Sequence, residues 1–216
     1  MPSQNTSKRL HCTLCLRPQR TCICQWVRPL EHDVEVLFLQ HPLEVGNAKN
    51  TARLLHMSLP HSRLVVGETF PEHELRALLH ASFDSANETD APDKIVYPIL
   101  LYPENAAEQA LIAPRAELMP AEMHIRLIVL DGTWRKSRKM LYLNPLLQQL
   151  PRLPLLDPPP SHYRIRKAHK TDQLSSFEAT CYALMQLEEN TEKYQALLAA
   201  FDGFVAQQQA YVQEHK

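Results

Sequence analysis
The chain has 216 residues, 44% of them hydrophobic and 22% charged, with a formal net charge of −1. This composition fits a soluble globular protein with room for one sizeable domain and an appendage. The charge balance excludes a global polycation, so any nucleic-acid binding must come from local patches.

Seventeen prolines against four glycines point to many rigid loops. No glycine-rich phosphate loop of the GxGxxG or Walker type is present. No apolar run reaches membrane-spanning length, and residues 1–9 carry no apolar signal core. A cytoplasmic protein with no membrane partner is expected; the oligomeric state is open, with a monomer favoured over a dimer.

Four of the five cysteines crowd together as Cys12-Thr-Leu-Cys15 and Cys22-Ile-Cys24. Thiols stay reduced in a cytosol, so paired disulfides are not expected. Four thiolates at this spacing suit tetrahedral zinc, with Cys12 and Cys15 at knuckle distance. An iron–sulfur cluster is the metal rival, and His11 is a substitute ligand. Four thiolates leave no open coordination position, which makes the site structural. Residues 1–30 are read as this zinc-binding segment, and residues 31–216 as the main domain. Cys181 stands alone in a helical pattern and reads as core.

Residues 34–40 predict a strand that leaves through His41-Pro42. A helix is expected over 48–57, with Asn50 and Thr51 near its start as hydrogen-bonding groups. His41 is read either as a pocket residue or as a plain loop histidine. Residues 63–66 predict a short strand and 72–81 a helix. Residues 84–94 have loop composition. A strand over 95–101 ends in Tyr102-Pro103, and a helix is expected over 105–112.

The most informative stretch follows. Residues 125–130 are aliphatic apart from Arg126, as in a buried strand. Asp131 sits where that strand ends, and Gly132 permits a sharp exit. Thr133 opens a helix that Asn144-Pro145 stops. Open α/β sheets bind ligands at the carboxyl ends of their strands, which is where this carboxylate lies. The alternative is that Asp131 only caps the helix. Arg135, Lys136, Arg138 and Lys139 put a cationic patch behind it.

Beyond residue 150 the prolines favour an edge strand and then a rigid loop. The densest basic run comes next, with His162, Tyr163, Arg164, Arg166, Lys167, His169 and Lys170. Such a run suits RNA, with cations on phosphates and Tyr163 stacking on a base, or is a solvated loop. Ser175 or Ser176 caps a long helix. The rest is read as helical with breaks near Asn190 and Gly203. Alternating strands and helices imply an α/β fold with a largely parallel sheet.

Several of these features together resemble the DTW-domain family. They are the Cys12-x-x-Cys15-x-Arg17-Pro18 and Cys22-x-Cys24 cluster, His41-Pro42-x-Glu44, Tyr102-Pro103, Asp131-Gly-Thr133-Trp134-x-x-Ser137, Tyr163-x-x-Arg166 and the Ser175-Ser176-Phe177-Glu178-Ala179 segment. The last departs from the family's pattern, in which a Ser-Thr pair is expected. The family is similar to tRNA-uridine aminocarboxypropyltransferases. The resemblance therefore implies transfer of the 3-amino-3-carboxypropyl group of S-adenosylmethionine to N3 of a tRNA uridine, leaving methylthioadenosine.

It also implies a SPOUT-like fold with helices on both faces of the sheet and a C-terminal knot. Donor binding would fall to Tyr102, Pro103, Asp131, Gly132, Thr133, Trp134, Ser137, Ser175 and Ser176, with Asp131 catalytic. Trp134 offers either an adenine platform or an apolar anchor. Arg135, Arg164 or Arg166 would meet the donor's carboxylate. tRNA would meet Arg135, Lys136, Arg138, Lys139, Tyr163, Arg164, Arg166, Lys167 and Lys170. Two rivals are a SPOUT-type RNA methyltransferase and a non-catalytic zinc-knuckle RNA-binding protein.

Overall fold
The computed structural model describes residues 10–83, 95–103, 123–161 and 174–214. The expected loop over 84–94 and helix over 105–112 lie outside them, as do Tyr163, Arg164, Arg166, Lys167 and Lys170.

Five strands form one parallel sheet in the order β2-β1-β4-β3-β5. They are β1 (Glu35–Gln40), β2 (Ser62–Val66), β3 (Ile95–Leu101), β4 (Met123–Asp131) and β5 (Arg152–Leu153). The helices are α1 (Ala52–Ser58), α2 (Glu72–His80), α3 (Trp134–Leu143), α4 (Pro145–Gln148), α5 (Ser176–Leu187) and α6 (Gln195–Glu214). None of the described helices is long and apolar enough to cross a membrane.

Side-chain alternation along the strands explains the layering. Val36, Phe38, Ile99, Leu127 and Val129 face one side and pack with α1, α5 and α6. Leu37, Leu39, Leu100, Ile128 and Leu130 face the other and pack with α2, α3 and α4. Every residue of β1 is buried, and its middle, residues 36–39, is an unbroken apolar run between Glu35 and Gln40, as expected of a strand covered on both faces. Pro98 is tolerated inside β3 because its neighbour β5 pairs only with Leu100 and Leu101, which leaves Pro98 beside an open edge.

The two central strands leave in opposite directions. β1 leads towards α1 on one face and β4 leads into α3 on the other. Their ends lie side by side, with Gln40 opposite Asp131 in register and the His41 amide donating to the Asp131 carbonyl at 2.9 Å. Diverging connections open a crevice at such a switch point.

Arg126, the polar exception in β4, is fully buried. It pairs with Glu35, donates to the carbonyls of Leu78 and Ala81 at 2.7 and 2.8 Å, and lies 4.0 Å from the Phe83 ring centre. It thereby satisfies carbonyls at the end of α2. Burial lowers its pKa, and the Glu35 carboxylate opposes that shift.

Two expectations are corrected. The helix over 48–57 begins only at Ala52, after a 3-10 turn over Pro42–Glu44. Gly203 does not break the last helix, which runs through it without interruption. A side chain there would lie 2.1 Å from the Trp26 ring, so the glycine lets the indole pack against the helix backbone. The break near Asn190 is real and separates α5 from α6. The N-terminal segment shares the main core, with Cys15 and Ile23 buried against it.

Candidate active site
Asp131 ends β4 at 3% exposure. Its Oδ2 accepts from Gln40 Nε2 at 2.9 Å and Asn50 Nδ2 at 2.5 Å. Gln40 also donates to Asn50 Oδ1 at 3.2 Å, which closes a triangle of side chains from β1, the loop before α1 and β4. Burial raises the Asp131 pKa above the ordinary carboxylate value. Hydrogen bonds from Gln40, Asn50 and Ser176 pull it back down, and the charge of Glu44 pushes it further up.

The helix cap at α3 is Thr133, whose hydroxyl accepts from the Lys136 amide at 3.4 Å. Capping is therefore not the job of Asp131. Ser175 caps α5 in a capping box with Glu178, whereas Ser176 turns to Asp131. The Ser137 hydroxyl donates to the Leu130 carbonyl at 3.3 Å and holds α3 to its strand.

Two cavities meet at Gly132, Ser175 and Ser176. One, of about 90 Å³, has an apolar and aromatic wall from Leu101, Tyr102, Val129, Leu130 and Trp134. Tyr102 and Trp134 meet edge to face at 6.0 Å, and Trp134 is 45% exposed. Pro103 is the next residue after Tyr102 at the end of β3. The other, of about 210 Å³, is walled by Glu44, Asn47, Lys49, Asn50, Thr51, Asp131 and Thr133, with no apolar side chain. A larger hollow of about 610 Å³ lies between residues 155–159 and the helices α5 and α6. Its buried carboxylate, Glu178, is held by Ser175 and Ser161, so size alone does not make it the reactive site.

The turn after β1 is braced by ion pairs. His41 Nδ1 accepts from the Leu43 amide at 3.1 Å, so its Nε2 carries the proton donated to Glu68 at 2.8 Å. Glu68 also binds Lys139 at 2.9 Å, and its pKa is lowered by the Lys139 and His41 hydrogen bonds. Glu44 is buried and holds Lys136 at 2.8 Å and Asn47 at 2.8 Å. Two of the four cations grouped on α3 thus tie the helix to the turn after β1 and to Glu68. Arg135 and Arg138 are exposed.

The four thiols of Cys12, Cys15, Cys22 and Cys24 lie within 4.8 Å of one another. Cys12 and Cys24 sulfurs are 3.6 Å apart, and those of Cys15 and Cys22 are 3.8 Å apart. A tetrahedron with zinc–sulfur bonds of about 2.3 Å has edges of about 3.8 Å, so the cluster fits such an ion. His11 is exposed and stands outside the group. Cys181 is fully buried in the core, and burial raises its thiol pKa.

Sequence reasoning missed how this knuckle reaches Asp131. Arg17 donates to the carbonyls of Ala48 at 2.8 Å and Asn50 at 2.6 Å. Arg53 donates back to the Leu14 carbonyl at 2.9 Å. The knuckle therefore clamps the loop whose Asn50 side chain holds the carboxylate. Gln40 was also missed, although a polar residue closing the apolar run 36–39 at the carboxyl end of the strand was a readable signal.

The five-stranded parallel sheet, the paired cavities at its switch point and the four-thiol knuckle define a mixed α/β domain with a candidate site at its strand ends. The DTW domain model matches residues 9–209, and the chain belongs to the DTW-domain family. It is 30% identical over 206 residues to tRNA-uridine aminocarboxypropyltransferase 2 of Mus musculus, covering 92% of this chain and 63% of that protein. It is 29% identical over 199 residues to the protein of the same name from Drosophila melanogaster, covering 89% and 72%. The chain thus spans less than two-thirds of the mouse relative. No solved structure matches significantly.

Proposed function
We propose that this chain modifies a tRNA uridine by transferring the 3-amino-3-carboxypropyl group of S-adenosylmethionine to N3, with release of methylthioadenosine. The names of the relatives support the reaction class. The observation that carries the chemistry is a buried carboxylate of raised pKa, fixed by two amides, at the junction of an aromatic and a polar cavity.

In this reading Asp131 accepts the N3 proton of the uridine. The freed N3 lone pair forms a bond to the donor's Cγ. The Cγ–S bond breaks, and its electron pair neutralises the sulfonium to the thioether of methylthioadenosine. A base whose pKa is raised towards neutrality suits proton removal from a weak acid. The donor is already a reactive electrophile, so alignment supplies much of the remaining acceleration.

Tyr102, Pro103, Gly132, Thr133, Trp134, Ser137 and Ser176 would line the donor, while Ser175 fixes the start of α5. Arg135 and Arg138, together with Tyr163, Arg164, Arg166, Lys167 and Lys170, would meet the tRNA. Lys136 and Lys139 would act there only beyond their ion pairs. Zinc on Cys12, Cys15, Cys22 and Cys24 would stiffen the knuckle, since four thiolates leave no open position for chemistry. The parallel sheet covered on both faces agrees with a SPOUT-like arrangement; a C-terminal knot, a cytoplasmic location and a division into residues 1–30 and 31–216 complete the reading.

The test is incubation of the purified protein with unmodified tRNA and S-adenosylmethionine, followed by nucleoside mass spectrometry. The expected product is a uridine carrying the aminocarboxypropyl group. An unaltered nucleoside pool in the presence of intact, metal-loaded protein would overturn the reading.

A further inference from the structure
The polar cavity beside Asp131 carries more information than the reaction requires. A general base needs one carboxylate, yet this cavity is walled by two, Asp131 and Glu44, both at 3% exposure. Lys49, Thr51 and Thr133 complete its wall with a cation and two hydroxyls. Glu44 does not stand there as an isolated charge. Its Oε1 accepts from Lys136 and its Oε2 from Asn47, and each oxygen retains a second acceptor site.

The volume of about 210 Å³ is below the roughly 300 Å³ at which pockets begin to take a drug-sized ligand whole. It therefore suits one arm of a larger molecule whose other end lies elsewhere. The adjoining aromatic cavity, joined to it at Gly132, Ser175 and Ser176, offers that second place. A ligand spanning both must have a flat or apolar end and a short end bearing charges of both signs.

We propose that the polar cavity is the seat of the donor's α-amino-acid arm, with Glu44 accepting the donor's ammonium group. This rests on the proposed donor and adds the residue that reads it. The arm's carboxylate faces Lys49 and the hydroxyls of Thr51 and Thr133. Buried carboxylates bind an ammonium far better than solvent-exposed ones, because the partner's charge is little screened. The arrangement also selects the group transferred. An arm anchored against Glu44 brings the arm's own carbon, and not the sulfonium methyl, alongside Asp131.

The experiment measures calorimetric affinity of the full chain for two unreactive probes. S-adenosylhomocysteine carries the amino-acid arm, and 5′-methylthioadenosine lacks it. Wild-type protein is expected to prefer the former by at least about ten-fold, the worth of one charge-assisted hydrogen bond. Glu44→Gln is expected to erase that preference while leaving 5′-methylthioadenosine affinity unchanged.

A wild-type measurement guards against misfolding of the variant. S-adenosylhomocysteine acetylated on its amino group, which has lost the ammonium, should bind no better than 5′-methylthioadenosine. An arm preference that survives both Glu44→Gln and acetylation would overturn this inference alone. So would a Glu44→Gln variant that weakens only tRNA, since the cavity would then belong to the acceptor. Failure of wild-type protein to bind either probe would overturn the donor reading itself.

Discussion

Replacing Asp131 with Asn separates chemistry from architecture. Asp131 Oδ2 accepts from Gln40 and Asn50, and an asparagine carbonyl oxygen can accept the same two bonds. Its amide can donate to the Ser176 hydroxyl, reversing one bond. Thr133 remains the helix cap.

The stability sign follows from the pKa. Burial raises the folded-state pKa of Asp131, so its contribution is fully present below the unfolded-state value and is lost as pH rises through the folded one. Above the unfolded-state pKa the buried carboxyl group is a net burden, and Asn removes it. The Asp131→Asn protein should melt at or above the wild-type temperature at neutral pH, with the advantage vanishing in acid.

Single-turnover formation of the modified uridine at saturating S-adenosylmethionine should fall by about 10²–10⁴, the range for a lost general base. That corresponds to roughly 2.7–5.5 kcal/mol of barrier. In the wild type the same step should rise with pH as the carboxylate ionises, and in the variant that limb should disappear. Full turnover in a well-folded Asn variant would refute the role of Asp131, leaving the protein only alignment.

Other consequences are open to direct checks. Elemental analysis of protein purified without chelator should give one zinc per chain, and Cys→Ser changes should loosen residues 10–30 before the α/β core. Absence of metal in such a preparation refutes the structural-zinc reading. Replacing Arg166 and Lys167 with Ala should weaken tRNA binding and flatten its salt dependence, because phosphate contacts release counterions; an unchanged salt slope returns that run to ordinary surface. Arg17→Lys should lower turnover by about ten-fold with zinc content intact, since an ammonium cannot reproduce the two-pronged grip on the Ala48 and Asn50 carbonyls. Retained turnover would disconnect the knuckle from the carboxylate.

Much of the frame was legible in sequence because it is locally encoded. Aliphatic runs announced β1, β3 and β4, and the strand over 95–101 matches in full. The thiol cluster was legible from spacing alone. What escaped depends on partners far along the chain. Arg126 is explained by Glu35 and the end of α2. Lys136 and Lys139 look like a free basic patch until Glu44 and Glu68 are folded against them. Gly203 was mistaken for a helix breaker because local propensity cannot see the Trp26 ring that occupies its side-chain space. The site itself was half visible. Asp131 stood out at its strand tip, but Gln40, Asn50 and Glu44 join it only through the register of β1 and β4 and the turn that follows.

The most direct measurement follows the donor's atoms. S-adenosylmethionine labelled with one isotope in the methyl group and another in the amino-acid carbons is reacted with tRNA. Nucleosides and by-product are then weighed together. The account predicts the amino-acid label in a modified uridine, the methyl label wholly in methylthioadenosine, and equal amounts of the two products. Methyl label in the tRNA with S-adenosylhomocysteine as by-product would contradict it.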